Sequence, residues 1–176
     1  MPEEVILVDE NDVEIGQAEK LSVHHSGALH RALSVFIFNS KGQMLLQQRA
    51  FHKYHTPGLF SNTCCSHPRP GEDTQAAAHR RLQEEMGFDC PIKALFSFQY
   101  RADFDNGLIE HELDHVFAGV FDGEPVANPD EVASWKWVNI PELRADVAAN
   151  PDTYTFWFRH VLERTLEAWQ EEQIKN

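Results

Sequence analysis

Residues 72–88 read EDTQAAAHRRLQEEMGF, and the fold turns on them. Glu72-Asp73-Thr74 offers side-chain oxygens of the kind that cap the free N–H groups at a helix start. Ala76 to Met86 follows as a helix, with Gly87 as its stop signal. Arg81 and Glu85 stand four residues apart on it and share a face, which by spacing alone reads as an exposed ion pair.

Just upstream lies Asn62-Thr63-Cys64-Cys65-Ser66-His67-Pro68. It sets a thiol and an imidazole two residues apart in a loop, after Leu59 and Phe60 and before a Pro-Gly turn. Thiolate and imidazole are the side chains that most readily bind transition metals or move protons near neutral pH. The plainer alternative is a buried thiol beside a hydrogen-bonded histidine.

Working outward, Val5 to Val8 and Val13 to Ile15 read as a hairpin, and Lys20 to His30 as a polar loop. Ser34 to Phe38 is an apolar run, as in a strand covered on both faces, and Met44 to Arg49 returns as its partner strand. Ile92 to Arg101 and Leu108 to Phe121 form a second pair around the turn Asp105-Asn106-Gly107. On the later of these, Glu110, Glu112 and Asp114 point to one face. Three acids in register repel each other unless water solvates them, as at a sheet edge, or a cation sits among them. Val132 to Val138 is a further strand with Trp135 and Trp137 on one face. Pro141 to Ala149 is a short helix, and Tyr154 to about Glu172 a long amphipathic one. Mixed strands with a few helices packed on them give an α+β fold, an α/β/α sandwich in which helices flank a mixed sheet.

At 176 residues the chain reads as a single domain, 1–176. A net charge of −13 argues against general nucleic-acid binding, which needs a basic surface. No apolar run approaches a membrane span, and Met-Pro-Glu-Glu does not resemble a signal peptide. Three cysteines make a poor disulfide framework and fit a reducing cytoplasm.

Three sets of residues carry chemistry if the fold brings them together. His24, His30, His67, Glu110 and Glu112 are donors suited to a borderline divalent ion such as Mn, Zn or Fe. Lys20, Arg49, Lys53 and Arg81, with Glu85 to hold a Mg ion, have the makings of a diphosphate pocket. Cys65, Glu112, Tyr100 and Trp157 could move protons from opposite sides of a small substrate.

The helix invites comparison with the Nudix signature, G-x5-E-x7-R-E-U-x-E-E-x-G-U, where U is bulky and apolar. Glu72, Arg80, Leu82, Glu84, Glu85, Gly87 and Phe88 fit it. Ser66 replaces the first glycine, and Arg81 the glutamate after the arginine. That glutamate is a metal ligand in Nudix hydrolases, so hydrolysis of a diphosphate is the weaker reading. With the Cys-His heptapeptide, Tyr100-Arg101, Glu110-x-Glu112 and Trp157, the chain from about Lys20 to Trp157 resembles the type I isopentenyl-diphosphate Δ-isomerases. The resemblance implies a Nudix-like fold and interconversion of isopentenyl and dimethylallyl diphosphate. It implies Cys65 and Glu112 as the acid–base pair, with Tyr100 assisting Glu112 and Trp157 facing the cationic carbon. It also implies one divalent ion (Mn, Mg or Zn) on His24, His30, His67, Glu110 and Glu112, with His25 an alternative to His24. Glu85 would meet a Mg ion on the substrate diphosphate, whose phosphates Lys20, Arg49, Lys53 and Arg81 would contact. A cytoplasmic monomer or weak homodimer acting on a small-molecule diphosphate is the expected setting.

Overall fold

The computed structural model describes residues 3–53 and 56–175. Its elements, in chain order, begin with β1 (Glu4–Val8), β2 (Glu14–Glu19), α1 (Lys20–Ser26), β3 (His30–Phe38) and β4 (Met44–Arg49). Two short strands follow, β5 (Phe60–Ser61) and β6 (Cys64–Ser66), then α2 (Thr74–Met86). The chain continues through β7 (Ile92–Asp103), β8 (Ile109–Val120), β9 (Val132–Val138), α3 (Ile140–Ala149), a 3₁₀ turn (Pro151–Thr153) and α4 (Phe156–Lys175).

Local chemistry sets the ends of α2. The Asp73 carboxylate accepts from Ala76 N at 3.1 Å, satisfying one of the free donors of the first turn. At the other end Gly87 turns left-handed at φ 71°, and its N–H closes on Gln83 O. A side chain at Gly87 would also run into the backbone and Cβ of Val126, so two independent constraints require glycine.

β3 is the hub of the sheet. It runs parallel to β8 from His30↔Glu112 to Phe38↔Val120, and antiparallel to β6 through Leu33↔Ser66, Ser34↔Cys65 and Val35↔Cys64. The Cys-His segment is therefore partly a strand and not a loop. β4 was expected to lie along β3 but meets it only at Phe38↔Met44; it diverges to pair with β9 and β5. A second difference is α1, in the stretch read as a polar loop, which Gly27 ends at φ 77°.

Alternation along the strands builds two cores. Leu33, Val35 and Ile37 of β3, Leu45 of β4 and Phe117 of β8 pack with Ala77, Ala78, Leu82 and Met86 of α2. Phe36 and Phe38, Met44 and Leu46, and Val116 and Ala118 point the other way, onto Leu143 of α3 and Trp157, Phe158, Val161 and Leu162 of α4. The sheet thus lies between helices, the α/β/α arrangement expected from the pattern of elements. Among the described residues, no helix is long and apolar enough to cross a membrane.

Candidate active site

The even-numbered face of β8 that carries Val116 and Ala118 also carries Glu110, Glu112 and Asp114. These acids are not solvated at a sheet edge, as the alternation suggested. They are 2%, 6% and 2% exposed, because β7 and β3 flank β8 on both sides. Register then delivers their partners: His30 lies beside Glu112 across the parallel pair, and Tyr100 opposite it on β7.

Glu112 Oε2 sits 3.1 Å from His30 Nε2 and 2.7 Å from His67 Nε2. Tyr100 O–H donates to Glu110 Oε2 at 2.8 Å and also to Glu112 Oε1. Burial alone would raise the Glu112 carboxyl, but the hydrogen bonds from His30 and His67 outweigh it and hold it well below the carboxylate range. Burial pulls His67 down to about 4, so its ring is neutral at neutral pH.

This cluster fits a metal ion. His30, His67 and Glu112 each offer a ligand atom, all within 4.8 Å of one another. His24, on α1, completes a group of three imidazoles, with ring centroids 5.6 Å from His30 and 6.2 Å from His67. His24 Nδ1 meets Lys20 O at 2.8 Å and His30 Nδ1 meets Ala28 O at 3.0 Å. A carbonyl only accepts, so both Nδ1 atoms carry the hydrogen and a neutral ring leaves Nε2 as a lone pair. Burial pulls His30 down, but its hydrogen bond to Glu112 outweighs this and raises it. Once the Nε2 proton is given up, that nitrogen and the carboxylate oxygen are a donor pair suited to a cation. His24 is buried in this group while His25 is exposed.

Cys65 occupies another wall. Trp157, in the first turn of α4, donates its indole N–H to Cys65 Sγ at 2.9 Å. Ser34 Oγ lies 3.8 Å from the same sulfur and donates to Asp114 Oδ2 at 2.7 Å. Burial, reinforced by the charges of Asp114 and Glu85, pushes the Cys65 thiol up to about 12. Burial, with Glu112 beside it, likewise raises Asp114 well above its usual range.

On the α2 side, Glu85 Oε1 accepts from Gln47 Nε2 at 3.0 Å and Glu85 Oε2 from Arg81 Nη2 at 2.9 Å. The pair is not exposed, as spacing had suggested: Glu85 is 3% exposed. Lys53 and Arg81 both reach Glu131, Arg81 at 3.5 Å, while Lys20 pairs with Glu3 at 3.6 Å. The Arg49 guanidinium lies 5.5 Å from the centre of the Trp157 ring. One cleft joins these walls, lined among others by Cys65, Glu112, Trp157, Lys53, Arg81 and Glu85.

A protein-family profile described as the NUDIX domain matches residues 28–174. The isopentenyl-diphosphate Delta-isomerase 2 of Aromatoleum aromaticum is 57% identical over 166 residues, covering 94% of this chain and 88% of that protein. The isopentenyl-diphosphate Delta-isomerase of Pectobacterium atrosepticum is 54% identical over 167 residues, covering 95% and 93%. The chain belongs to the isopentenyl-diphosphate Delta-isomerase family, on the Nudix fold. The fold is also shared with the crystal structure of DR0079 from Deinococcus radiodurans, at TM-score 0.78 and 22% identity, over 92% of this chain and 98% of that one.

In this member of the isomerase family, the cleft wall includes Lys20, Arg49, Lys53, Cys65, His67, Arg81, Glu85, Tyr100, Glu110, Glu112 and Trp157. His24 and His30 lie behind it, buried against His67. Sequence reasoning missed Ser34, Gln47, Asn62 and Glu131. It noticed Asp114 only as one acid among three. The spacing of Asp114 from Glu112 could have marked it, but nothing in the sequence pattern marks the other four.

Proposed function

We propose that the chain interconverts isopentenyl and dimethylallyl diphosphate by adding a proton to one face of the alkene and removing one from the other. A proton delivered to the terminal methylene carbon leaves a tertiary cation. Loss of a proton from the carbon on the diphosphate side then sets the double bond in its new place. Two groups on separate walls can do this without either crossing the substrate, and Cys65 and Glu112 are those groups in this reading. The observation that carries it is that both line one cleft, with the Trp157 indole beside the sulfur.

Each wall has its part. Cys65 is held as a thiol, and Glu112 as a carboxylate with the Tyr100 O–H beside it. The indole face of Trp157 stabilises the passing cation by on the order of 2 kcal/mol when water is excluded, and does not trap it. Lys20, Arg49, Lys53 and Arg81 take the diphosphate, a remote handle whose binding energy orients the five-carbon tail. Glu131 holds Lys53 and Arg81 in place until the phosphates arrive. Glu85, held by Gln47 and Arg81, would bind a Mg ion carried by the diphosphate.

His24, His30, His67, Glu110 and Glu112 would hold a second divalent ion, Mn, Mg or Zn. That ion supplies a fixed positive charge that orients Glu112 and tunes its acidity. The three cysteines are free thiols, which fits the reducing, cytoplasmic setting of this reading.

Incubating the protein with isopentenyl diphosphate and following the product by NMR tests this reading. Dimethylallyl diphosphate should accumulate to an equilibrium mixture with no release of phosphate. Phosphate release without isomer formation would instead indicate a hydrolase.

A further inference from the structure

Asn62 lies beneath the sulfur of Cys65, fully buried and not on the cleft wall. Its Nδ2 is 3.0 Å from Val35 O and 2.9 Å from Cys64 O. Carbonyl oxygens only accept, so the amide has one permitted orientation, with its NH₂ on those two atoms and Oδ1 turned the other way. Oδ1 lies 2.9 Å from Ser61 Oγ and 3.0 Å from Cys65 Sγ. An amide oxygen cannot donate, so both hydrogens on it come from its neighbours: one from the Ser61 O–H, one from the Cys65 S–H.

The network closes on itself. Having given its hydrogen to Asn62, Ser61 accepts from Thr155 Oγ1 at 2.9 Å. Thr155 N in turn donates to Phe60 O at 2.9 Å, which pins the start of α4. Two residues later Trp157 donates to Cys65 Sγ. The sulfur is thus held between an obligate acceptor below and an indole donor at the side, both anchored to the same junction of β5 and α4.

We propose that Asn62 is the positioning residue of this site: it holds the Cys65 thiol hydrogen and fixes the sulfur at the cleft wall. The proposal deepens the isomerase reading and rests on it for its catalytic consequence. Asn62 gives up no proton and touches no substrate. Its amide sets where the sulfur stands and where the S–H points when no alkene is bound. A sulfur released from that anchor can turn about its side-chain bonds, and misplacement by about 1 Å can cost on the order of 10²-fold in rate.

The test reads the S–H stretching band by infrared difference, wild type minus Cys65→Ser, alongside kcat and KM. In Asn62→Ala the band should move up in frequency, toward that of a free thiol. kcat should fall on the order of 10²-fold with KM little changed, because the diphosphate contacts lie elsewhere. Ser61→Ala serves as the second variant, informative even where Asn62→Ala does not fold. It removes the competing hydrogen from Oδ1, so the S–H bond should tighten and the band move down. A band that stays put in folded Asn62→Ala, or in Ser61→Ala, overturns the proposal. So does a loss carried by KM with kcat intact. Variants that show the predicted band shifts, beside a wild-type protein that makes no dimethylallyl diphosphate, would sink the isomerase reading and leave the thiol geometry standing.

Discussion

His30 and His67 share one oxygen: their Nε2 atoms lie 3.1 and 2.7 Å from Glu112 Oε2, and each reaches it from a different strand or loop. The parallel register of β3 with β8 brings the first, and the turn out of β6 brings the second. Two ring nitrogens and a carboxylate oxygen converging in a buried space are, by charge and donor type, a group that could hold a divalent cation.

Metal should therefore stabilise the folded chain. Adding Mn or Zn to chelator-treated protein should raise the melting temperature, by an amount equivalent to about 2.7 kcal/mol at a hundredfold excess over the dissociation constant. His67→Gln should abolish that rise while leaving the metal-free melting temperature close to wild type. Calorimetry of both proteins with and without metal decides it.

The raised thiol at Cys65 predicts an alkaline weakness. A folded-state pKa of about 12 exceeds the ordinary thiol value of 9.0, so the folded chain keeps a proton that the unfolded chain loses between those values. The contribution is therefore fully present below pH 9 and declines as pH rises toward 12. In metal-free protein, Cys65→Ala lacks this dependence, so its melting temperature should close on wild type as pH rises across that window. Alkylation should agree: at pH 9 Cys65 stays protonated, and its modification by iodoacetamide should be much slower than that of an ordinary exposed thiol.

Gly87 is the backbone position that ties α2 to the strand side. Gly87→Ala places a side chain at φ 71° and against Val126. Destabilisation of about 2 kcal/mol or more is expected, from the left-handed backbone alone plus the displaced neighbour. Urea denaturation measures it, and Gly42→Ala offers a comparison, since Gly42 has a similar φ of 78° but open space around it. The difference between the two variants isolates the clash.

Much of this was legible in the sequence because the signals were local. The Asp73 cap and the Gly87 stop mark α2 to within two residues, and strict alternation marks β8. The conformation of Lys20–Ser26 was not legible, since its buried face is Val23 and His24 and offers no apolar stripe. The acids of β8 misled for a related reason: alternating polar and apolar residues normally describe a strand with one wet face. Here β8 is central, and its polar face is turned inward to build the site. Gln47 left no signal because its partners, Thr63 O and Glu85, are distant in sequence. Most partners of Asn62 are within three residues, but residue type alone does not say which backbone and side-chain atoms a buried amide meets. Cys65 and Glu112 could be grouped by residue chemistry and by resemblance, but that both line one cleft is visible only in the structure.

Proton exchange with solvent is the most direct measurement of whether those two walls act on one substrate. In D2O, wild-type protein with metal should introduce deuterium into both five-carbon diphosphates, read by mass spectrometry. Cys65→Ala and Glu112→Gln, each folded by circular dichroism, should introduce none. Near-wild-type exchange in either variant would contradict the assignment of that residue, and exchange in both would contradict the two-walled mechanism itself.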